Sequence, residues 1–189
     1  AAPVTGTIAA GAFEWGGQTH GLANPDKMHY AGMAWVKFQH KWNPGDSPSD
    51  ESGRIGQAHA QNFKVLMSVP GPSHPTSIDY AGYISYLTGL ASQGVDGIEV
   101  WNEMNLEREW PANDINGASY VNNMLKPAYQ SIKAVNPNIL VISGAPSPTG
   151  YWGGCGADAL AGAGCDDWFY LAQMRDAGAA SYMDCMGIH

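Results

Sequence analysis

The chain has 189 residues, only 14% of them charged, and a formal net charge of −8. That length suffices for one domain with a sizeable core, and the acidic balance without a Lys/Arg cluster argues against nucleic acid or an anionic membrane as partner. No apolar run is long enough to span a bilayer. The start, Ala1 to Thr7, is small and polar. Residues 1–10 read as an extended N-terminal segment, consistent with either a mature terminus left after signal cleavage or an arbitrary boundary.

Strand-like and helix-like segments then alternate. Ala12 to His20 reads as a strand with Glu14, Gly16, Gln18 and His20 on one face. Asn24-Pro25-Asp26 caps a short helix that Gly32 stops. Met33 to Phe38 is a second strand, followed by a polar loop over Asn43 to Ser49 and a helix from Asp50 to about Gln61. Phe63 to Val69 is the third strand, ended by Pro70-Gly71-Pro72. Ser77 caps the next helix, where Tyr80, Tyr83, Ile84, Leu87, Leu90 and Ala91 recur at helical spacing before Gly94. Gly97 to Trp101 is the fourth strand. A helix from about Gly117 to Val135 buries Val121, Met124, Leu125, Ala128 and Ile132, and Pro127 is expected to bend it. Asn138 to Ser143 is the fifth strand. A helix starting at Asp166 or Asp167 ends near Gly178, and Met183 to Ile188 reads as a sixth, with Cys185 as a buried free thiol.

Strict β/α alternation predicts a parallel sheet covered by helices, in a single α/β domain. It closes as a (β/α)8 TIM barrel or stays open as a doubly wound sheet. No Gly-x-Gly-x-x-Gly follows the first strand, which removes support for a dinucleotide fold. Polar groups sit just past nearly every strand: His20, Gln39-His40, Ser68, Glu103, Ser147 and His189. Convergence of such groups on one rim favours the barrel.

The most informative run is Gly97-Ile98-Glu99-Val100-Trp101-Asn102-Glu103. A buried strand there delivers a carboxylic acid beside an amide that can bond a sugar hydroxyl, which suits general acid/base work on a glycosidic bond. A strand that merely ends in polar residues would read the same. Seven tryptophans exceed what a core of this size usually needs, and sugar sites use such rings as stacking platforms. Cys155 and Cys165 flank a Gly/Ala-rich loop without the company a zinc site requires. A disulfide closing that loop is the better reading, contributing roughly 2–3 kcal/mol and implying an oxidising compartment. No His-x-x-x-His pair suggests a metal, and no cofactor is expected.

The chain resembles the clan A glycoside hydrolases, retaining β-glycosidases on (β/α)8 barrels, in the style of the family 39-like and family 5-like members. The resemblance rests on Phe13-Glu14-Trp15-Gly16-Gly17-Gln18-Thr19-His20, Trp35-Val36-Lys37-Phe38-Gln39, Ile98 to Glu103, Val141-Ile142-Ser143-Gly144-Ala145 and Met186-Gly187-Ile188-His189. Families of this clan usually carry Asn-Glu-Pro at the fourth strand, and this chain has Met104 in place of Pro. The resemblance implies that Glu103 is the general acid/base and that Asn102 bonds the hydroxyl next to the anomeric carbon. Glu99 and Trp101 would share Glu103's side of the strand. Glu99 then points into the barrel, and Lys37 is its expected partner, since an isolated buried carboxylate is too costly. Glu107 and Glu109 read as a solvated loop. His20, Gln39, His40, His74 and His189 are rim candidates for sugar hydroxyls, with Trp42, Trp110 and Trp152 as candidate platforms.

In this clan the nucleophile is a second Glu at the end of strand seven, and no carboxylate here has that placement. The expectation is therefore a secreted or extracytoplasmic retaining glycosidase of which residues 1–189 supply about strands 1–6, inactive alone and completed by a second fragment or chain. A non-catalytic carbohydrate-binding barrel is the alternative. A barrel lyase would want a strand-end Lys for a Schiff base, and Lys37 and Lys64 lie within strands instead.

Overall fold

The computed structural model describes residues 13–156 and 164–189. The expected N-terminal segment over residues 1–10 lies outside these. Five parallel strands, β1 (Trp15–Gln18), β2 (Met33–Gln39), β3 (Lys64–Val69), β4 (Gly97–Val100) and β5 (Leu140–Ser143), pair in chain order. Helices α1 (Pro25–Tyr30), α2 (Ser52–Ala60), α3 (Tyr80–Ala91), α4 (Gly117–Tyr120), α5 (Lys126–Val135) and α6 (Asp167–Asp176) fill the connections. This is the β/α order of a TIM barrel, seen as a five-stranded part of it.

Alternation along each strand divides the sheet's two faces. Val36, Phe38, Val65, Met67, Ile98, Val100 and Val141 are buried towards the helices. They meet Ile55 and Ala58 of α2, Leu87 and Leu90 of α3, and Ala128 and Ile132 of α5 in one core. The other face is more polar. Glu14, Gly16, Gln18, Trp35, Lys37, Leu66, Leu140 and Ile142 line a cavity of about 330 Å³ there. Lys37 Nζ lies 2.6 Å from Glu99 Oε2, the expected partnership. Glu14 accepts hydrogen bonds from Trp35 Nε1 and Lys64 Nζ, which hold its carboxyl below the usual range, the lysine chiefly.

Several boundaries differ from the sequence expectation, each for a local reason. Asp79, not Ser77, caps α3, because its carboxylate accepts from Gly82 N at 2.9 Å. The chain enters α2 through a 3₁₀ turn over Pro48–Glu51. The expected helix over Gly117 to Val135 is helical throughout, but a π-helical turn over Val121–Leu125 joins α4 to α5, and Pro127 stands just after that turn, where the ladder is already irregular and its missing N–H is accommodated. The expected sixth strand is reduced to one bridge between Cys185 and Ile142. Asp184 explains this, since its carboxylate takes Val141 N–H at 2.8 Å and its own N–H takes Val141 C=O. A side chain thus occupies a ladder position. Cys185 is exposed, not buried.

The fourth strand ends earlier than expected, at Val100. Trp101 adopts φ +74° and turns its ring into the helix layer. There it packs edge-on against Tyr83 and Trp110, at centroid distances of 5.0 and 5.7 Å. Gly71 makes room for this ring, and a Cβ at that position would overlap it. Gly71→Ala should therefore lower the free energy of unfolding by about 1–3 kcal/mol through overpacking, measured by urea denaturation. An unchanged midpoint would mean that the ring yields freely.

Candidate active site

The rim is built from strand ends. After Trp101, Asn102 is partly exposed and Glu103 takes φ +39°. Two left-handed residues in three abolish the alternation that would have kept Trp101 on Glu103's side. Glu103 N–H donates to Ala145 C=O at 2.9 Å, which fixes its backbone beside the end of β5. Its side chain is 14% exposed, with Oε2 on the Arg108 guanidinium and Oε1 3.2 Å from His189 Nδ1. Arg108 also reaches Glu109, with Nε 3.5 Å from Oε1. Glu109 is buried, not solvated as expected, whereas Glu107 is exposed. Burial pushes the Glu109 carboxyl up, Arg108 opposes this, and the charge of Glu103 adds to it.

The loop after Glu103 is held at both ends. Trp101 Nε1 donates to Glu109 C=O at 2.7 Å, and Trp110 Nε1 to Asp114 C=O at 2.8 Å. Asn105, fully buried, donates to Ser147 C=O and Cys165 C=O and accepts from Ser147 N–H. It thereby rivets this loop to the one after β5. Cys155 and Cys165 form a disulfide in that second loop. Asp166 organises the same loop by accepting from the amides of Tyr151, Trp152 and Gly153 and from the Thr149 hydroxyl. Burial raises the Asp166 carboxyl, but these four donors outweigh it and hold the group below the usual range.

The structure brings together Asn102, Glu103 and His189. Gln39 is exposed at the last residue of β2, His20 is exposed past the end of β1, and Trp152 is half-buried in the disulfide loop. Three of the sequence candidates are elsewhere. Trp42 and Trp110 are 2% and 0% exposed, so neither offers a face for stacking. Trp42 packs edge-on against Tyr83, and Trp110 lies between Trp101 and Tyr120. His40 follows Val36 and Phe38 on the helix-facing side of β2. Its Nε2 lies 3.0 Å from Asp46 and its Nδ1 2.9 Å from Glu51, and its ring stacks on Tyr86. It ties the polar loop to the sheet. Arg108 and Asn105 went unrecognised in the sequence, because irregular loops carry no periodicity from which to read a side chain's direction. Among the described residues, no group of three or more His, Cys, Asp or Glu side chains could hold a metal, and no helix is long and apolar enough to cross a membrane.

No protein-family model matches the chain, and no curated protein matches it in sequence. Solved structures do match in fold. The catalytic domain of a mannanase from Streptomyces sp. SirexAA-E aligns with a TM-score of 0.54 at 18% identity, covering 87% of this chain and 50% of that one. The catalytic domain of GH30 xylanase C from Talaromyces cellulolyticus gives 0.50 at 15% identity, covering 84% and 44%. A fructose-bisphosphate aldolase from Slackia heliotrinireducens, at 0.45 and 10% identity, is too distant to carry an argument. The chain spans about half the length of these solved structures. What it shares with the two hydrolases is the fold, a β/α barrel.

The Asp166 cluster makes a pH-dependent prediction. A carboxyl lowered in the folded protein contributes order that is complete above the unfolded value, near ~4, and is lost as pH falls through the lowered folded value. Hydrogen exchange should show the amides of Tyr151, Trp152 and Gly153 protected at neutral pH, with protection fading only in that acid range. Asp166→Asn should remove much of it at every pH. Undiminished protection in the variant would show that the disulfide alone orders the loop.

Proposed function

We propose that this chain supplies the acid/base part of a retaining β-glycoside hydrolase, as one portion of a single barrel catalytic domain. The observation that carries the reading is the placement of Glu103. It is a partly exposed carboxyl at the carboxyl end of a parallel strand, next to an accessible amide, with its backbone and both oxygens held. The fold shared with a mannanase and a xylanase supports it.

In this reading Glu103 donates a proton to the leaving glycosidic oxygen. A second carboxylate attacks the anomeric carbon, and Glu103 then takes a proton from the incoming water. Asn102 bonds the sugar hydroxyl beside the anomeric carbon, while His20, Gln39 and Trp152 bound the sugar from neighbouring strand ends. The guanidinium of Arg108 matches a carboxylate, not a proton donor. It has to withdraw when Glu103 acts as an acid, and Glu109 is the partner within reach. This reading requires a nucleophile that residues 1–189 do not offer at the expected place, and the half-length match to the two hydrolases supports a completing segment. The disulfide suits a secreted or extracytoplasmic setting.

Glu103→Gln keeps the shape and removes the proton. With β-mannan and xylan as first substrates, it should lower the rate by about a hundredfold or more, and by less on glycosides with activated leaving groups. Full activity in the variant would sink the assignment, and binding without turnover in either form would favour a carbohydrate-binding barrel. The 189-residue chain by itself should show no retaining activity, and a segment carrying two further β/α units should restore it. Turnover by the chain alone, with mass spectrometry showing no second polypeptide, would place the nucleophile within it.

A further inference from the structure

A regular parallel ladder would carry on past Val100, but the hydrogen bonds at this point take another route. Trp101 N–H donates to the Tyr83 hydroxyl at 2.9 Å, and that hydroxyl donates to Val69 C=O of β3 at 2.7 Å. On the opposite side, Gly144 N–H donates to the Tyr120 hydroxyl at 2.9 Å, and that hydroxyl donates to Val100 C=O at 2.7 Å. One phenol oxygen from α3 is thus inserted between β3 and β4, and one from α4 between β4 and β5. Both tyrosines are fully buried. Each hydroxyl donates once and accepts once, so Trp101 N–H, Val69 C=O, Gly144 N–H and Val100 C=O all keep a partner where the sheet is opened. Directly beyond this point the chain makes its left-handed turn and reaches Glu103.

We propose that Tyr83 and Tyr120 are positioning residues for Glu103, two hydroxyl spacers that part the end of β4 from its neighbours and so set where the acid sits. The proposal rests on the glycosidase reading of Glu103. The physical reason is geometric. Removing either oxygen leaves a carbonyl and an amide separated by a gap of one atom. They can close into a direct ladder bond or stay unpaired. Closing draws Trp101 back towards the sheet and carries Glu103 with it, and a misplacement of about 1 Å costs roughly a hundredfold in rate at a reacting centre. The rings themselves belong to the aromatic row Tyr83, Trp101, Trp110, Tyr120, so replacement by Phe leaves the packing in place.

The test uses Tyr83→Phe and Tyr120→Phe in the full-length protein, each in the native and the Glu103→Gln background, with Tyr170→Phe as control. Tyr170 is also buried, but its hydroxyl has no hydrogen-bond partner among the described residues. Each Phe variant should lower kcat by about tenfold or more with KM changed less than about twofold, and should lower nothing further once Glu103 is Gln. The control should retain kcat. An equal loss in the Glu103→Gln background, or a loss confined to KM, would overturn the proposal. If Glu103→Gln alone keeps full activity, the glycosidase reading fails instead. Amide NMR then decides the positioning claim by itself, since the Glu103 amide signal should move in both Phe variants, and an unmoved signal overturns it. Should a Phe variant not fold, a fluorotyrosine at the same position keeps ring and hydroxyl while changing its donor strength. The spacer oxygen is then retained, so kcat should stay within about twofold of the parent, and a loss of about tenfold or more would overturn the proposal.

Discussion

The reversal of Trp101 is the constraint on which the rest of the rim depends. Strand alternation would place the indole beside Glu99 on the inner face. A left-handed backbone at a bulky residue costs about 1–2 kcal/mol. Burial of the whole ring offsets that, together with edge-on contacts to Tyr83 and Trp110 and a hydrogen bond from its nitrogen to Glu109 C=O. Once the ring is committed to the helix layer, the chain has to leave the sheet. Asn102 and Glu103 then emerge at the rim, and the bare Cα of Gly71 becomes a packing requirement.

The layers of the fold were legible because they obey two periods. The buried positions of α3, the strands β2 to β5 and the partnership of Lys37 with Glu99 all follow from alternation or helical spacing. His40 was misread although the signal was present: it shares parity with Val36 and Phe38, and that parity points to the helices. Trp42 and Trp110 were misread for a different reason. Abundance of tryptophan suits a sugar platform and an aromatic core equally well, and nothing local in the sequence separates them.

The site itself was legible only at its centre. Asn102 and Glu103 stand out at the end of an apolar run, but their surroundings are set by φ values at single residues and by loops. Arg108 comes back to Glu103 because the loop is tied at Trp101 and Trp110, a long-range consequence of packing. Met183 to Ile188 shows the converse limit. Its apolar pattern is strand-like, yet one carboxylate, Asp184, takes a backbone position and leaves a single bridge.

The ion pair on the inner face has a mechanical meaning. Lys37 and Glu99 stand on β2 and β4, two strands apart, with β3 between them, and still meet at 2.6 Å. Lys37 stands level with Gly97, two residues before Glu99, so the contact spans about 10 Å across two inter-strand spacings and a step along the strand as well. The reach of the long lysine side chain and the inward curl of a barrel wall together close that gap. Backbone ladder bonds join nearest neighbours and barely sense that curl, whereas this charge pair is drawn tight by it. The radius of the barrel wall is thus tied to an electrostatic contact. With the Glu99 side chain only 6% exposed, salt screens the pair little, so that tie persists over ordinary ionic strengths.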